Sequence, residues 1–102
     1  MSSYRFDRLR ILVVDDNVHM RKLVVTILQA FGAAQIFEAD SGERAWKLLR
    51  DTSPDVAVLD WMMEGMSGLE LVNLIRTSPQ TPNPFVPVIM LTGHTHIAHV
   101  RQ

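Results

Sequence analysis

The sequence predicts an α/β domain, a parallel sheet doubly wound by helices on both faces. Three observations carry this. Short β-branched runs alternate with helical patterns as βαβαβαβ, the order that gives parallel strands joined by right-handed crossovers. Two of the runs, Val56-Ala57-Val58-Leu59 and Val88-Ile89-Met90-Leu91, are apolar without a break, as expected where a sheet is covered on both faces. Three of the four strands also end in a polar residue: Asp15 with Asp16, Asp60, and Thr92. In a parallel sheet those ends share one edge, where open α/β sheets keep their ligands.

The first strand is Leu9-Arg10-Ile11-Leu12-Val13-Val14, closed by Asp15-Asp16. Asn17 is suited to cap the helix that follows, because its side-chain oxygen can accept from the first unpaired amides. Apolar residues then fall at Met20, Leu23, Val24, Ile27, Leu28 and Phe31, the spacing of one helical face, and Gly32 supplies a left-handed stop. Ala34 to Ala39 reads as a brief strand, less apolar and so nearer an edge. Ser41 caps a second helix over 43–50, with Ala45, Trp46, Leu48 and Leu49 as its buried stripe, and Pro54 closes the segment. Asp55 opens the third strand, which ends at Asp60.

A Met- and Gly-rich loop leads to a third helix over 68–76, built on Leu69, Leu71, Val72, Leu74 and Ile75. Its wide apolar arc predicts contact with more than the sheet. Pro79, Pro82, Pro84 and Pro87 make 78–87 a loop. Pro87 costs no central ladder donor at the start of the fourth strand, Val88 to Leu91. Residues 95–102 begin another helical pattern. Met62, Met63 and Met66 are expected to pack in their loop, Trp46 to pack on the core, and Trp61 to stand partly exposed near Asp60.

With 102 residues the chain makes one small domain, and 47% apolar with 21% charged residues is enough to build a core. The expected division is an N-terminal flank over 1–8, including Arg5 and Arg8, and a domain over 9–102. A net charge of −1 gives no electrostatic case for nucleic acid or a membrane surface. The absence of cysteine excludes disulfides and thiolate metal sites. No apolar run is long enough to span a bilayer, and no signal-peptide core precedes the domain, so a cytoplasmic location is expected.

Three carboxylates drawn to one edge repel one another unless a cation compensates or one of them stays protonated. An all-oxygen donor set suits Mg²⁺, with Mn²⁺ also acceptable, and such ions keep waters that phosphoryl oxygens can replace. Asp60 would then be placed to attack phosphorus and form an acyl phosphate. Thr92 would donate its hydroxyl to a phosphoryl oxygen. Taken alone, Asp15-Asp16 would be no more than a solvated turn. His94, His96 and His99 fall in a loop and at a helix start, which does not favour a metal site.

In these residues the chain resembles the receiver domain of bacterial two-component response regulators. The matching features are Asp15-Asp16, Asp60, the loop residues Met63, Met66 and Gly68, and Thr92-Gly93. The resemblance runs from Leu9 to Gln102. It implies a CheY-like, flavodoxin-like sheet in the order 2-1-3-4, from a family whose full order is 2-1-3-4-5. It also implies Asp60 as phosphoacceptor and Asp16 as a direct Mg²⁺ ligand. Asp15 would bind through a metal-bound water, the Met62 backbone carbonyl would complete the ligands, and Thr92 would be the switch hydroxyl. The implied partner is a histidine kinase or histidine phosphotransfer protein. The implied chemistry is confined to the domain's own phosphorylation and dephosphorylation, so the chain is not expected to be an enzyme.

Two departures from the family stand out. Glu64 occupies the place of a usual proline, which should loosen the turn without touching a ligand. The family's fifth strand, the lysine after it, its aromatic switch position and its last helix find no counterpart before Gln102. The chain's lysines, Lys22 and Lys47, both fall on helices. Loss of one such stabilising cation typically costs roughly 10²–10³ in rate. A fourth strand without a neighbour is expected to pair with a second copy of the chain. Two alternatives follow: a haloacid-dehalogenase-like phosphatase, which wants an acid where Met62 stands, or a dimerisation module unable to take phosphate.

Overall fold

The computed structural model describes residues 6–91. The strands β1 (Arg10–Val14), β2 (Gln35–Ala39), β3 (Val56–Asp60) and β4 (Val88–Leu91) alternate with the helices α1 (Val18–Ala30), α2 (Gly42–Thr52) and α3 (Gly68–Thr77). All strand pairs are parallel and the order is β2-β1-β3-β4, as expected from the sequence and the resemblance. Thr92, His94, His96, His99 and the helical pattern at 95–102 lie outside the described residues.

Alternation along the strands divides the core into two layers. Leu12, Val14, Ala57 and Leu59 face α2 and α3, where Ala45, Leu49, Leu71 and Ile75 meet them. Ile11, Val13 and Val58 face α1, where Val24, Val25 and Leu28 pack. Residues 11–14 of β1 and 56–59 of β3 are thus covered on both faces, which is why these stretches carry no polar residue. At the opposite edge the Arg10 amide donates to Asp55 Oδ2 at 2.9 Å and Asp55 N–H donates to the Arg10 carbonyl at 2.7 Å, fixing where β3 begins beside β1. Arg10 therefore belongs to the sheet, its guanidinium 5.7 Å from the Phe37 ring centroid. Phe6 packs on the α1 layer from a short 3-10 turn (Phe6–Arg8), so the N-terminal flank is partly built into the fold.

The caps expected at Asn17 and Ser41 are present, accepting from the Met20 and Arg44 amides. Gly32, with φ of 102°, follows α1 where the left-handed stop was expected. At α3, Ser67 and Glu70 form a reciprocal capping box that orients the helix entry.

The α1 stripe is only half covered. Val24 and Leu28 reach the sheet, while Leu23 (53% exposed), Ile27 (47%) and Phe31 (73%) face outward. A single helix covers only the sheet beneath it, and among the described residues no element covers the far flank of α1. The same layer leaves Ile89 of β4 at 52% exposure. Val86, inside the proline-rich loop, is 1% exposed and belongs to the α2–α3 core. Arg76 holds that loop by donating from Nη1 to the Pro84 and Val86 carbonyls at 2.8 and 2.7 Å.

Candidate functional site

The fold delivers three carboxylates to one edge of the sheet. Asp60 ends β3, level with Leu91 in register, and Asp15-Asp16 continue directly from the neighbouring β1. One carboxylate oxygen from each of Asp15, Asp16 and Asp60 lies within 4.8 Å of the others. Their surroundings differ. Asp15 is buried, its amide donates to the Ala39 carbonyl at 3.1 Å, and its Oδ1 accepts the Asn17 amide at 2.9 Å. Asp16 is exposed and its Oδ2 accepts the Glu64 amide at 3.3 Å. Asp60 is half-buried and its Oδ1 accepts the Met62 amide at 3.4 Å.

Crowding raises the Asp60 carboxyl from its ordinary 3.8 to about 6. Burial is the largest cause and the Asp15 charge the next; the Met62 amide opposes them, and Asp16 adds a smaller repulsion. No nitrogen or sulfur donor joins the cluster among the described residues. An acidic, oxygen-only set with one member exposed fits a hard cation such as Mg²⁺, which takes one or two carboxylates and keeps waters.

Gly68 sets how closely α3 approaches the acid. A Cβ there would lie 2.5 Å from the Asp60 backbone oxygen, and the Gly68 amide donates to the Trp61 carbonyl at 3.1 Å. The loop between Asp60 and Gly68 is therefore short and closed. Within it Met63 and Met66 pack on the core as expected, whereas the Met62 side chain is 60% exposed. Met62 adjoins the acid, and only Met63 and Met66 face the α2–α3 layer. Trp61 is 40% exposed beside the acids, and Trp46 packs on the core with Arg50 5.3 Å from its ring centroid.

Two groups at the site were not found from the sequence. Arg21, one turn into α1, donates from Nη1 to the Asp15 carbonyl at 2.8 Å and from Nε to Glu38 Oε1 at 3.0 Å. It ties the Asp15-Asp16 turn to the end of β2. Its signal was a cation four residues after the Asn17 cap, which points back toward the helix start. The second group is the Glu64 amide: Glu64 was expected to touch no ligand, and its main-chain N–H donates to Asp16, one of the residues expected to hold the ion. Its contact is through the main chain, so side-chain chemistry gave no sign of it. Lys22 and Lys47 lie on α1 and α2 as expected, and Lys47 pairs with Asp51 at 2.9 Å.

Residues 11–102 match the family described as the response regulator receiver domain. The chain is 37% identical over 86 residues to the chemotaxis protein CheY1 of Helicobacter pylori, covering 82% of this chain and 67% of that protein. It is 35% identical over 83 residues to the phosphate regulon transcriptional regulatory protein PhoB of Pseudomonas aeruginosa, covering 81% of this chain and only 35% of PhoB. Among solved structures it resembles the receiver domain of the histidine kinase CKI1 from Arabidopsis thaliana complexed with Mg²⁺ and BeF₃⁻. That likeness has a TM-score of 0.77 at 28% identity, over 84% of this chain and 66% of the other.

Proposed function

Because the chain belongs to the response regulator receiver family, we propose that it accepts a phosphoryl group on Asp60 from the phosphohistidine of a histidine kinase or histidine phosphotransfer protein. The observation that carries this is the convergence of Asp15, Asp16 and Asp60, with the carboxyl of Asp60 raised to about 6. A carboxylate with that value is still mostly ionised at neutral pH, the form whose oxygen can attack phosphorus. One Asp60 oxygen bonds phosphorus while the phosphohistidine N–P bond breaks. The departing imidazole keeps the electron pair and takes a proton from solvent.

Asp16 and Asp60 would hold Mg²⁺ directly, Asp15 through a water, and the Met62 backbone carbonyl would complete the protein ligands. The bound ion supplies positive charge against the acids and the phosphoryl oxygens. The Thr92 hydroxyl would donate to a phosphoryl oxygen as the switch group. Backbone amides after Asp60 supply further donors, the Met62 amide among them. The phosphatase alternative lacks support, since the family match covers the domain and an exposed Met62 stands where that chemistry wants an acid. Incubation with a small-molecule phosphodonor and Mg²⁺ tests the proposal. The expected result is a stable, hydroxylamine-sensitive acyl phosphate on the wild type and none on Asp60→Asn. Turnover of a phosphoester without label would favour a phosphatase, and no label at all a phosphorylation-incompetent module.

A second proposal concerns association. Among the described residues β4 pairs only with β3, and Ile89 on it is 52% exposed on the face of the sheet that carries α1. An apolar strand with an open side is a template for pairing. A second copy joined along β4 would cover that surface. Light scattering over a concentration series is expected to show a dimer that Ile89→Lys dissociates; a monomer throughout the series would exclude it.

A further inference from the structure

We propose that the main-chain amide of Glu64 is a positioning group for Asp16, so that the Mg²⁺ affinity of the site depends on a hydrogen-bond donor at residue 64. The inference rests on the reading of the acid cluster as a cation site and adds a second support for its exposed member. Asp15 is immobilised by burial and by the Asn17 amide, and Asp60 by the strand that ends on it. Asp16 has neither advantage. It is exposed, and both neighbouring acids repel it. Left to itself, its carboxylate would rotate into solvent, away from the charges that a cation needs gathered.

The Glu64 amide counters that rotation. It donates to Oδ2 at 3.3 Å across 48 residues of sequence, joining the β3–α3 loop to the β1–α1 turn. The donor is itself held in place. Met63 and Met66, on either side of it, pack on the core, and Met66 lies so close to α2 that a Cβ on Gly42 would come within 2.7 Å of its own Cβ. Ser67 and the Gly68 amide then fix the far end of the loop. An ionised carboxylate has about four acceptor sites. One N–H on Oδ2 therefore restrains the group and leaves Oδ1 and the remaining lone pairs for a cation. Restraint made before binding lowers the cost of binding. The proline usual at this position in the family would have no N–H to give, so this support belongs to the present chain.

Two substitutions separate the amide from the side chain. Glu64→Gln and Glu64→Pro both remove the carboxylate, but only proline removes the donor. Calorimetric titration with Mg²⁺ is expected to give Glu64→Gln an affinity within about twofold of wild type, and Glu64→Pro a loss of roughly tenfold, the low end for a hydrogen bond to a charged group. Equal affinities for the two variants would overturn the proposal while leaving the metal reading intact. A wild type that binds no Mg²⁺ would overturn both. Should proline disturb the loop, Asp16→Ala gives an independent test on an otherwise unaltered backbone. Hydrogen exchange at the Glu64 amide is expected to quicken in that variant, and an unchanged rate would overturn the proposal.

Discussion

Saturating Mg²⁺ is expected to raise the unfolding midpoint of this chain by on the order of 10 °C. The cause is the repulsion built into the sheet edge, where one oxygen from each of three carboxylates lies within 4.8 Å of the others. In the unfolded chain Asp15-Asp16 and Asp60 are far apart in sequence and bind the ion weakly, so binding is linked to folding. At about one hundred times the dissociation constant, a ligand of the folded state alone contributes roughly 2.7 kcal/mol. In a domain of this size each 1 kcal/mol moves the midpoint by about 4–8 °C. Calorimetric scans with Mg²⁺ and with chelator measure the effect directly. The shift is expected to vanish in Asp16→Ala, and an equal shift in that variant would mean the ion acts elsewhere.

Without the ion, the stability of the fold is expected to fall as pH rises from 3.8 to about 6, and Asp60→Asn is expected to remove that fall. The sign follows from the protons bound. The folded chain keeps a proton on Asp60 up to about pH 6, whereas the unfolded chain releases it near 3.8. Between those values the folded state binds more protons, so stability decreases with rising pH and then levels. Above pH 6 the native state carries an ionised carboxylate that burial and Asp15 disfavour, and asparagine does not. Solvent screens a half-buried group, which reduces the gain in Asp60→Asn to about 1 kcal/mol at pH 8. At about pH 3, where the folded and unfolded chains both keep the proton, the two chains should be nearly equal. Urea denaturation at both values in chelator decides it, and a variant less stable than wild type at pH 8 would contradict the electrostatic account.

Much of this architecture was legible because local chemistry and tertiary position agree. Residues 11–14 of β1 and 56–59 of β3 are uniformly apolar since both faces are covered, and each stretch is followed by acid where the chain reaches the open edge. Asn17, Ser41 and Gly32 do locally what their side chains, or the lack of one, allow. What escaped depends on contacts distant in sequence. Val86 sits among prolines with no periodicity around it, and only the Arg76 clasp and the α2–α3 core explain its burial. The α1 stripe declared itself apolar, but periodicity cannot say which half of a stripe the sheet will cover. Arg21 and the Glu64 amide act on the Asp15-Asp16 turn across a strand and a loop, and neither residue type announces it. The Ser67 box is different. Its Ser-x-x-Glu signal stands in the sequence and was readable.

Everything functional here turns on whether phosphorus bonds to Asp60. The most direct measurement is borohydride trapping of the chain after exposure to its phosphodonor with Mg²⁺, followed by peptide mapping. Reduction of an acyl phosphate converts the modified aspartate to homoserine and so marks the residue itself. The account predicts homoserine at position 60 alone, dependent on both Mg²⁺ and donor. Homoserine at position 15 or 16, or label on a histidine with Asp60 intact, would contradict it.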